Sequence, residues 1–345
     1  MKKYIGGEFC YDKKFFLNTS NKHNFRELNW ISSGRAAFYN ILKKYKKKGY
    51  KKVYLPAYIC DSLIWPVKKL GLKITFYALD KNLNIKDEFK GNAIILIIHF
   101  FGKRIKNIEK IKKDIPKNSK IIEDYTHIFL NQNLFNKKNK DKIFFSMRKH
   151  FGFISGAYHN EKTKKLINNN KLLTIYKNSQ EILNVKFNYL KKHNYNLKTE
   201  NTYLKKIKFN DHLISLNTSN YQIPNLIKNF NNNLDIEIIR QKRKKNWETL
   251  YQLIKNKVDC FHSDFRDGDI PFGFIIKVKN RDVIKRKLKN ANIFAPIHWE
   301  WPTNINKKKF NNLYELSESI LTLPIDQRYD ISHMELLAKK LKKII

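Results

Sequence analysis

The chain has 345 residues, 42% hydrophobic and 14% aromatic, and its 70 Lys and Arg against 30 Asp and Glu give a net charge of +40. This composition excludes a disordered chain, and the length predicts one large domain with a smaller one. No apolar run approaches the ~20 residues needed to cross a bilayer, and the opening stretch lacks a signal peptide's apolar core. We therefore expect no stable membrane insertion. Three widely spaced cysteines form no metal pair and no even disulfide set, which predicts a cytoplasmic protein without a metal site: Cys10, Cys60 and Cys260.

The positive charge attracts phosphates, whether on nucleic acid, lipids or nucleotide-linked small molecules. The lysines occur in every segment, however, without a block of six like charges or a nucleic-acid-binding signature. Abundant Lys, Asn and Ile are typical of AT-rich genomes. We expect compositional bias rather than nucleic-acid binding, which stays the least favoured alternative.

The first predicted helix follows Ser32-Ser33-Gly34 and continues to a stop at Gly49. The N–H groups and the positive dipole end of such a helix start can hold a phosphate. An ordinary helix cap is the alternative interpretation, and on these residues alone it is favoured.

From residue 51 onward the chain alternates between apolar strands and helices, which predicts a parallel sheet covered on both faces. The predicted strands are 52–58, 73–79, 93–101, 120–125 and 142–146, and the predicted helices between them are 61–70 and 105–115. Ligands on such sheets bind beyond the carboxyl ends of the strands. Polar or aromatic residues cluster at those ends: Tyr58, His99, Asp124, His127, Ser146 and Lys149.

Two of these residues carry specific chemistry. Lys149 follows a buried strand and stands beside Arg148, and a desolvated lysine near another cation can form Schiff bases. A solvated strand end is the alternative. Asp124 ends a buried strand, where a carboxylate needs a partner. A protonated ring nitrogen and a helix N-cap suit it equally well.

The remaining chain predicts polar helices over 161–222 and a long helix over 223–257, within which we place the domain boundary, giving domains 1–235 and 236–345. The smaller domain is predicted to hold strands 272–278 and 320–324, a helix over 281–290 and a closing helix from Ser332. His298 lies between aromatic residues and is a candidate ligand contact, although a packed surface histidine is the commoner outcome.

Taken together, these motifs resemble a divergent branch of the DegT/StrS family of pyridoxal-phosphate-dependent sugar aminotransferases, over nearly the whole chain. SSGRAAFY resembles the family's S-G-T-A-A-L helix start, and LPAYICDSLIWPVKKLG its V-P-x-x-T-F segment. HFFG is similar to H-x-Y-G, IIEDYTH to I-E-D-A-A-H, and FFSMRKHFGFISGAY to the lysine segment of that branch. NWETLYQLI, IHWEWP and LTLPIDQRY also resemble the branch.

The resemblance implies an α/β, fold-type-I transferase with a large domain built on a mostly parallel seven-stranded sheet, a small C-terminal α/β domain, and a homodimer with shared active sites. Lys149 would bind pyridoxal 5′-phosphate covalently, and Asp124 would keep the pyridine nitrogen protonated with His127 nearby. Gly34, Arg35, Ala36 and Ser146 would hold the phosphate. Asn217 or Asn220 would reach the partner subunit's cofactor, and His298 would contact the substrate.

The implied reaction moves an amino group from an amino acid, expected to be glutamate, to a nucleotide-linked keto sugar for surface polysaccharide biosynthesis (lipopolysaccharide or capsule). The chain departs from the family pattern at Cys60, where a stacking aromatic is usual, so Tyr58 is a candidate for covering the ring. Arg35 replaces a common Thr, and 154–157 replace G-E-G-G. Because His150 follows Lys149, a sugar deoxygenase is one alternative, and an inactive homologue is another.

Overall fold

The computed structural model describes residues 4–7, 9, 29–106, 108–131, 141–152, 156–160, 173–178, 181–182, 185, 197–216 and 235–345. The helices within them include α1 (Gly34–Lys47), α2 (Asp61–Lys69), α3 (Ile108–Asp114), α4 (Leu197–Leu216), α5 (Ile236–Ile254), α6 (Arg281–Asn290), α7 (Asn311–Ser319) and α8 (Ile331–Ile344). The strands include β1 (Ile5–Gly6), β2 (Asn29–Ile31), β3 (Lys52–Pro56), β4 (Lys73–Tyr77), β5 (Ile94–Ile98), β6 (Lys120–Asp124), β7 (Lys142–Ser146), β8 (Ala157–His159), β9 (Asp259–Phe261), β10 (Phe274–Lys277), β11 (Ile293–Phe294) and β12 (Ile320–Leu323).

The chain divides into two compact units. The first comprises 1–2, 8–44 and 142–236, and the second comprises 3–7, 45–141 and 237–345. Among the described residues, no helix is long and apolar enough to cross a membrane.

The second unit contains a parallel sheet with strand order β6–β5–β3–β4. All five residues of β5, Ile94–Ile98, are buried, as expected for a central strand that is covered on both faces. Because the strands are parallel, their carboxyl ends all meet at one edge of the sheet. Tyr58, His99 and Asp124 lie at that edge.

The same unit contains an antiparallel sheet, β9–β10–β12, and the short parallel pair β1–β11. These strands pack with the surrounding helices into a core that includes Leu250 and Ile254 of α5, Leu288 of α6 and Leu337 of α8. Gly6 of β1 packs closely against β11 beside this core, and only glycine fits there: its φ is +94°, and an added Cβ would lie 2.2 Å from the Phe294 carbonyl oxygen.

The first unit contains the antiparallel order β2–β8–β7. Helix α1 packs on these strands through the ring of Phe38, which stacks on Phe144 with 5.3 Å between centroids. A separate small cluster forms around Tyr176 and Tyr203.

The predicted fold class, α/β, is confirmed. The strand over 142–146 and the helix over 281–290 agree with β7 and α6 to the residue. The strand predicted over 93–101 ends early, at Ile98, because the chain turns at Phe101 (φ 55°) and Gly102 (φ 97°). The three-residue strands β8 and β9 and helix α7 were not predicted. The domain division 1–235 and 236–345 and the count of seven strands stay predictions.

Candidate active site

Asp124 ends strand β6 and is 6% exposed. One of its oxygens, Oδ1, accepts the backbone N–H of Thr126 at 2.8 Å, which forms a tight turn directly after the strand. The sequence left open whether Asp124 caps a helix or pairs with a ring nitrogen. The bond from Thr126 closes a turn and caps no helix, because the described residues 125–131 contain none. Pairing with a ring nitrogen stays a prediction.

His127 follows that turn and is enclosed by aromatic rings. Its imidazole lies on Phe272 with 3.9 Å between centroids and 14° between planes, and Trp299 stacks 5.2 Å away. The Nδ1 atom accepts the backbone N–H of Phe101 at 3.3 Å. Because an accepting nitrogen carries no proton, the neutral ring holds its proton on Nε2.

Tyr58 joins the end of β3 to the segment around His298. Its hydroxyl donates to the His298 carbonyl oxygen and accepts the Trp299 N–H at 3.1 Å. Tyr58 is 1% exposed, and burial raises the pKa of its phenol, so it remains a neutral donor. The structure thus gives Tyr58 a bridging role. Its role in covering a cofactor ring stays a prediction.

His298 itself is 8% exposed, and its Nδ1 lies 2.9 Å from the Thr322 hydroxyl on β12. This contact fixes the ring within the protein. His298 is therefore packed, as the commoner outcome required, but it is buried and does not lie at the surface. Contact with a substrate stays a prediction.

His99 does not belong with the other polar residues at the strand ends. Its Nε2 lies 2.8 Å from Glu123 Oε2, and its Nδ1 accepts the Ile105 N–H at 3.1 Å, so a neutral ring donates to the carboxylate. Burial lowers the pKa of His99, in agreement with that neutral form. Adjacent strand residues point to opposite faces, so Glu123 and Asp124 serve different faces of the sheet.

Glu123 has no solvent exposure, and it also binds Lys112 of α3 at 2.9 Å. Burial alone would raise the pKa of Glu123, but the hydrogen bond from His99 and the Lys112 ammonium together lower it to about 2. The His99–Glu123–Lys112 group therefore holds α3 on the sheet.

In the first unit, the start of α1 lies against Ser146. A Cβ added to Gly34 would lie 3.3 Å from the Ser146 Cβ and 3.9 Å from its hydroxyl oxygen, so glycine permits this close approach. Ser33 caps the helix, because its hydroxyl accepts the Ala36 N–H at 3.1 Å. The helix cap is thus confirmed. The structure also brings Ser146 against Gly34, in the first turn of the helix that contains Ala36, and all three residues are predicted to hold a phosphate.

Lys149 ends a single 3₁₀ turn, Met147–Lys149, that directly follows β7. Lys149 is half-buried, whereas its neighbour His150 is 1% exposed. Arg35, another residue predicted at the phosphate, is also half-buried. Of the two adjacent residues, Lys149 is more accessible to a ligand than His150.

Three predicted residues need separate mention. Asn217 and Asn220 lie outside the described residues. Cys60 is half-buried at the position before α2, where its sulfur accepts the Ser62 hydroxyl at 3.1 Å. Among the described residues, no group of His, Cys, Asp and Glu could hold a metal ion.

Phe272 and Trp299, the rings that enclose His127, were not predicted as site residues. Arg243 of α5, 1% exposed, fixes Phe272 by donating to its carbonyl oxygen at 2.9 Å. Asn131 binds Gly102 and Asp269 at 2.8 and 2.9 Å and so ties the turn after His127 to the chain before Phe272. Only the aromatic residues flanking His298 in the sequence hinted at this cluster.

The chain matches no protein-family model and no curated protein by sequence. Solved structures do match over nearly its whole length. PseC, a Helicobacter pylori aminotransferase involved in pseudoaminic acid biosynthesis, has a TM-score of 0.68 at 13% identity and covers 99% of each chain. A candidate sugar aminotransferase of Streptococcus pneumoniae in its PMP form has a TM-score of 0.65 at 14% identity, covering 99% of this chain and 98% of that one.

A DegT/DnrJ/EryC1/StrS aminotransferase of Brucella abortus has a TM-score of 0.59 at 14% identity, and the match covers 92% of this chain and 85% of that one. At these identities the likeness establishes the fold. The chain has the fold of DegT/StrS-type aminotransferases, as its sequence motifs predict.

Proposed function

We propose that the protein is a pyridoxal-phosphate-dependent aminotransferase that moves an amino group from an amino acid, glutamate in the first instance, to a nucleotide-linked keto sugar. One observation carries the proposal: Ser146 packs against Gly34 at the start of α1, and the half-buried Lys149 follows three residues later. The helix start and the hydroxyl suit a phosphate, and the lysine suits an aldehyde. The Streptococcus pneumoniae protein of similar fold has been solved in PLP and PMP forms.

The described residues fit the cofactor. Gly34 leaves space beside Ser146 that a side chain would fill, and the N-terminal end of the 14-residue helix α1 carries a partial positive charge. Lys149 would bind the cofactor covalently. Asp124, a buried carboxylate, would pair with its pyridine nitrogen.

Pyridoxal phosphate, when bound, supplies an electron sink and a carrier for the amino group. The protein's own residues do the rest. Lys149, once displaced by an amino donor, moves a proton at the reacting carbon through its Nζ atom. His127, protonated on Nε2, can donate a hydrogen bond while its ring is held by Phe272.

The burial of His150 bears on the main alternative, a sugar deoxygenase. That chemistry would place histidine at the lysine's position, but His150 is 1% exposed and its neighbour Lys149 is half-buried. The difference supports the aminotransferase. Surface polysaccharide biosynthesis, a cytoplasmic location and a homodimer are part of the same proposal and rest on the family resemblance.

A half-reaction tests the proposal without knowledge of the sugar. The protein, loaded with pyridoxal phosphate, is mixed with glutamate, and the 2-oxoglutarate released is measured. We expect up to one equivalent per site from the wild type and none from Lys149→Ala. Lys308→Ala, at an exposed position, should behave as the wild type. Release from Lys149→Ala at the wild-type level would overturn the assignment. If the wild type and Lys308→Ala release 2-oxoglutarate and Lys149→Ala does not, nucleotide keto sugars are screened as acceptors.

A further inference from the structure

The edge of the parallel sheet opposite Tyr58 and Asp124 is rich in lysine. Four stretches form it, each leading into a strand: 45–52, 68–73 and 113–120, which follow helix ends, and 90–93, which precedes β5. We call these stretches the lysine edge. They contain twelve lysines, one carboxylate (Asp114) and no arginine. Ten of the lysines are exposed: Lys46, Lys47, Lys48, Lys51, Lys68, Lys69, Lys73, Lys90, Lys113 and Lys117.

Contacts among the stretches make the lysine edge one continuous surface. Lys46 donates to the Leu70 carbonyl oxygen at 2.5 Å, joining the ends of α1 and α2. The Tyr50 hydroxyl donates to the Asn118 carbonyl oxygen at 2.7 Å. The other two junctions are backbone or hydroxyl bonds, from Lys73 N to Lys51 O at 2.9 Å and from Ser119 Oγ to Gly91 O at 2.9 Å.

Composition does not explain this concentration. The opposite edge of the same sheet consists of 57–62, 78–84, 99–106 and 124–131, and it carries four basic residues against three carboxylates. The whole chain has 70 basic and 30 acidic residues, so the lysine edge is short of carboxylates even for this protein. The charge is therefore segregated to one edge.

Helix dipoles explain only part of the pattern. Lysines in the last turn of a helix are favoured by its negative end, and this accounts for Lys46, Lys47, Lys68, Lys69 and Lys113. Lys51, Lys90 and Lys117 precede strands and Lys73 is the first residue of β4, so these four lie outside the last turn of any described helix. These four still lie on the same surface and are exposed.

We propose that the lysine edge docks the protein reversibly on a membrane surface bearing anionic lipid headgroups. A broad set of exposed ammonium groups complements a plane of headgroup phosphates, and a carboxylate-poor surface avoids repulsion. Tyr58 and Asp124, at the other edge of this sheet, lie away from the lipid. This docking is independent of the cofactor and goes beyond the proposed enzymatic function.

The chemistry of the lysine edge favours lipid over nucleic acid. Nucleic-acid surfaces rely on the planar guanidinium of arginine and on aromatic rings that stack with bases. The four stretches contain no arginine. Their two aromatic residues are not exposed, because Tyr45 is 7% exposed and Tyr50 is half-buried with its hydroxyl bonded to Asn118.

Vesicle co-sedimentation tests the proposal. The full chain is mixed with phosphatidylcholine vesicles, with or without about 30 mol% phosphatidylglycerol, at about 50 and about 300 mM salt. The edge variant replaces six exposed lysines with Gln: Lys47, Lys48, Lys51, Lys68, Lys73 and Lys117. The control variant removes the same charge elsewhere, with Gln at Lys287, Lys289, Lys308, Lys339, Lys342 and Lys343, all exposed.

We expect the wild type to bind only the anionic vesicles, and to bind them at least tenfold more weakly at the higher salt concentration. The edge variant should bind at least tenfold more weakly than the wild type. The control variant should change by less than twofold. Equal losses in both variants, or no binding by the wild type, would overturn the proposal. So would tighter binding to a homopolymeric RNA that is lost in the edge variant. If the edge variant unfolds, two double variants replace the six-residue ones: Lys47→Gln with Lys68→Gln at the lysine edge, and Lys287→Gln with Lys339→Gln as the control. We again expect weaker vesicle binding for the edge double variant than for the control.

Discussion

The imidazole of His127 and the phenyl ring of Phe272 lie face to face, with 3.9 Å between centroids and 14° between planes. The two residues are far apart in sequence, so their contact joins the chain after β6 to the chain before β10. We predict a coupling energy of about 1 kcal/mol in a double-mutant cycle with His127→Asn and Phe272→Leu, measured by urea unfolding. A cycle between His127→Asn and Phe310→Leu, which lack a ring contact, should be additive. Additivity in the first cycle would show that the stacking contributes nothing.

Gly102 is required by the turn between β5 and α3. A Cβ there would lie 2.2 Å from the Ile270 carbonyl oxygen, and its φ is +97°. We predict that Gly102→Ala lowers the free energy of unfolding by about 3 kcal/mol, because the backbone must shift. Gly91→Ala is the matched control, with φ +72° and nothing within 4 Å of the added Cβ. It should lower stability by about 1 kcal/mol, and equal losses would contradict the close approach.

The Tyr58 hydroxyl satisfies two backbone groups, at His298 and Trp299. Tyr58→Phe leaves both without this partner in a buried site, and we predict a loss of about 2 kcal/mol in the free energy of unfolding. Tyr50→Phe removes an exposed hydrogen bond to Asn118 and should lose less than about 1 kcal/mol. Chemical denaturation of both variants decides the matter. A neutral Tyr58→Phe substitution would mean that the bridge is not formed.

The lowered pKa of Glu123 predicts how the free energy of unfolding depends on pH. Its folded-state pKa, about 2, lies below the ordinary value of 4.5. The unfolded chain therefore binds a proton first as the pH falls, and the stabilisation present above pH 4.5 is lost between 4.5 and 2. The full loss is about 3 kcal/mol. Glu123→Gln should have a lower free energy of unfolding at neutral pH and should lose less of it between pH 4.5 and 2 than the wild type does. Urea unfolding at each pH measures this. An unchanged acid profile in this variant would contradict the ion pair.

Particular residues show how far the sequence could predict the structure. The apolar run before His99 predicted a central strand, and β5 is buried at every position. Its early end could not be predicted, because the turn at Gly102 depends on Ile270, which is distant in sequence. The sequence predicted that both His99 and Asp124 lie at strand ends, but it did not predict which face of the sheet each side chain lies on. The hydrogen bond to Glu123 determines the position of the His99 ring.

The candidate site was predictable to a similar degree. Local motifs indicated the helix start at Gly34. The family resemblance implied that this start and Ser146 bind one phosphate, and the structure brings Gly34 and Ser146 together. The rings of Phe272 and Trp299 around His127 come from a distant part of the chain. No periodicity or spacing could place them there, since long-range packing decides such contacts.

The most direct test of the central claim is the visible absorption of the purified protein with pyridoxal phosphate, recorded for the wild type, Lys149→Ala and His150→Gln. If Lys149 binds the cofactor, the wild type and His150→Gln show the visible absorption band of the protein-bound cofactor, and borohydride makes the attachment permanent. Lys149→Ala shows neither. A band that persists in Lys149→Ala, or that disappears only in His150→Gln, would contradict the assignment of Lys149.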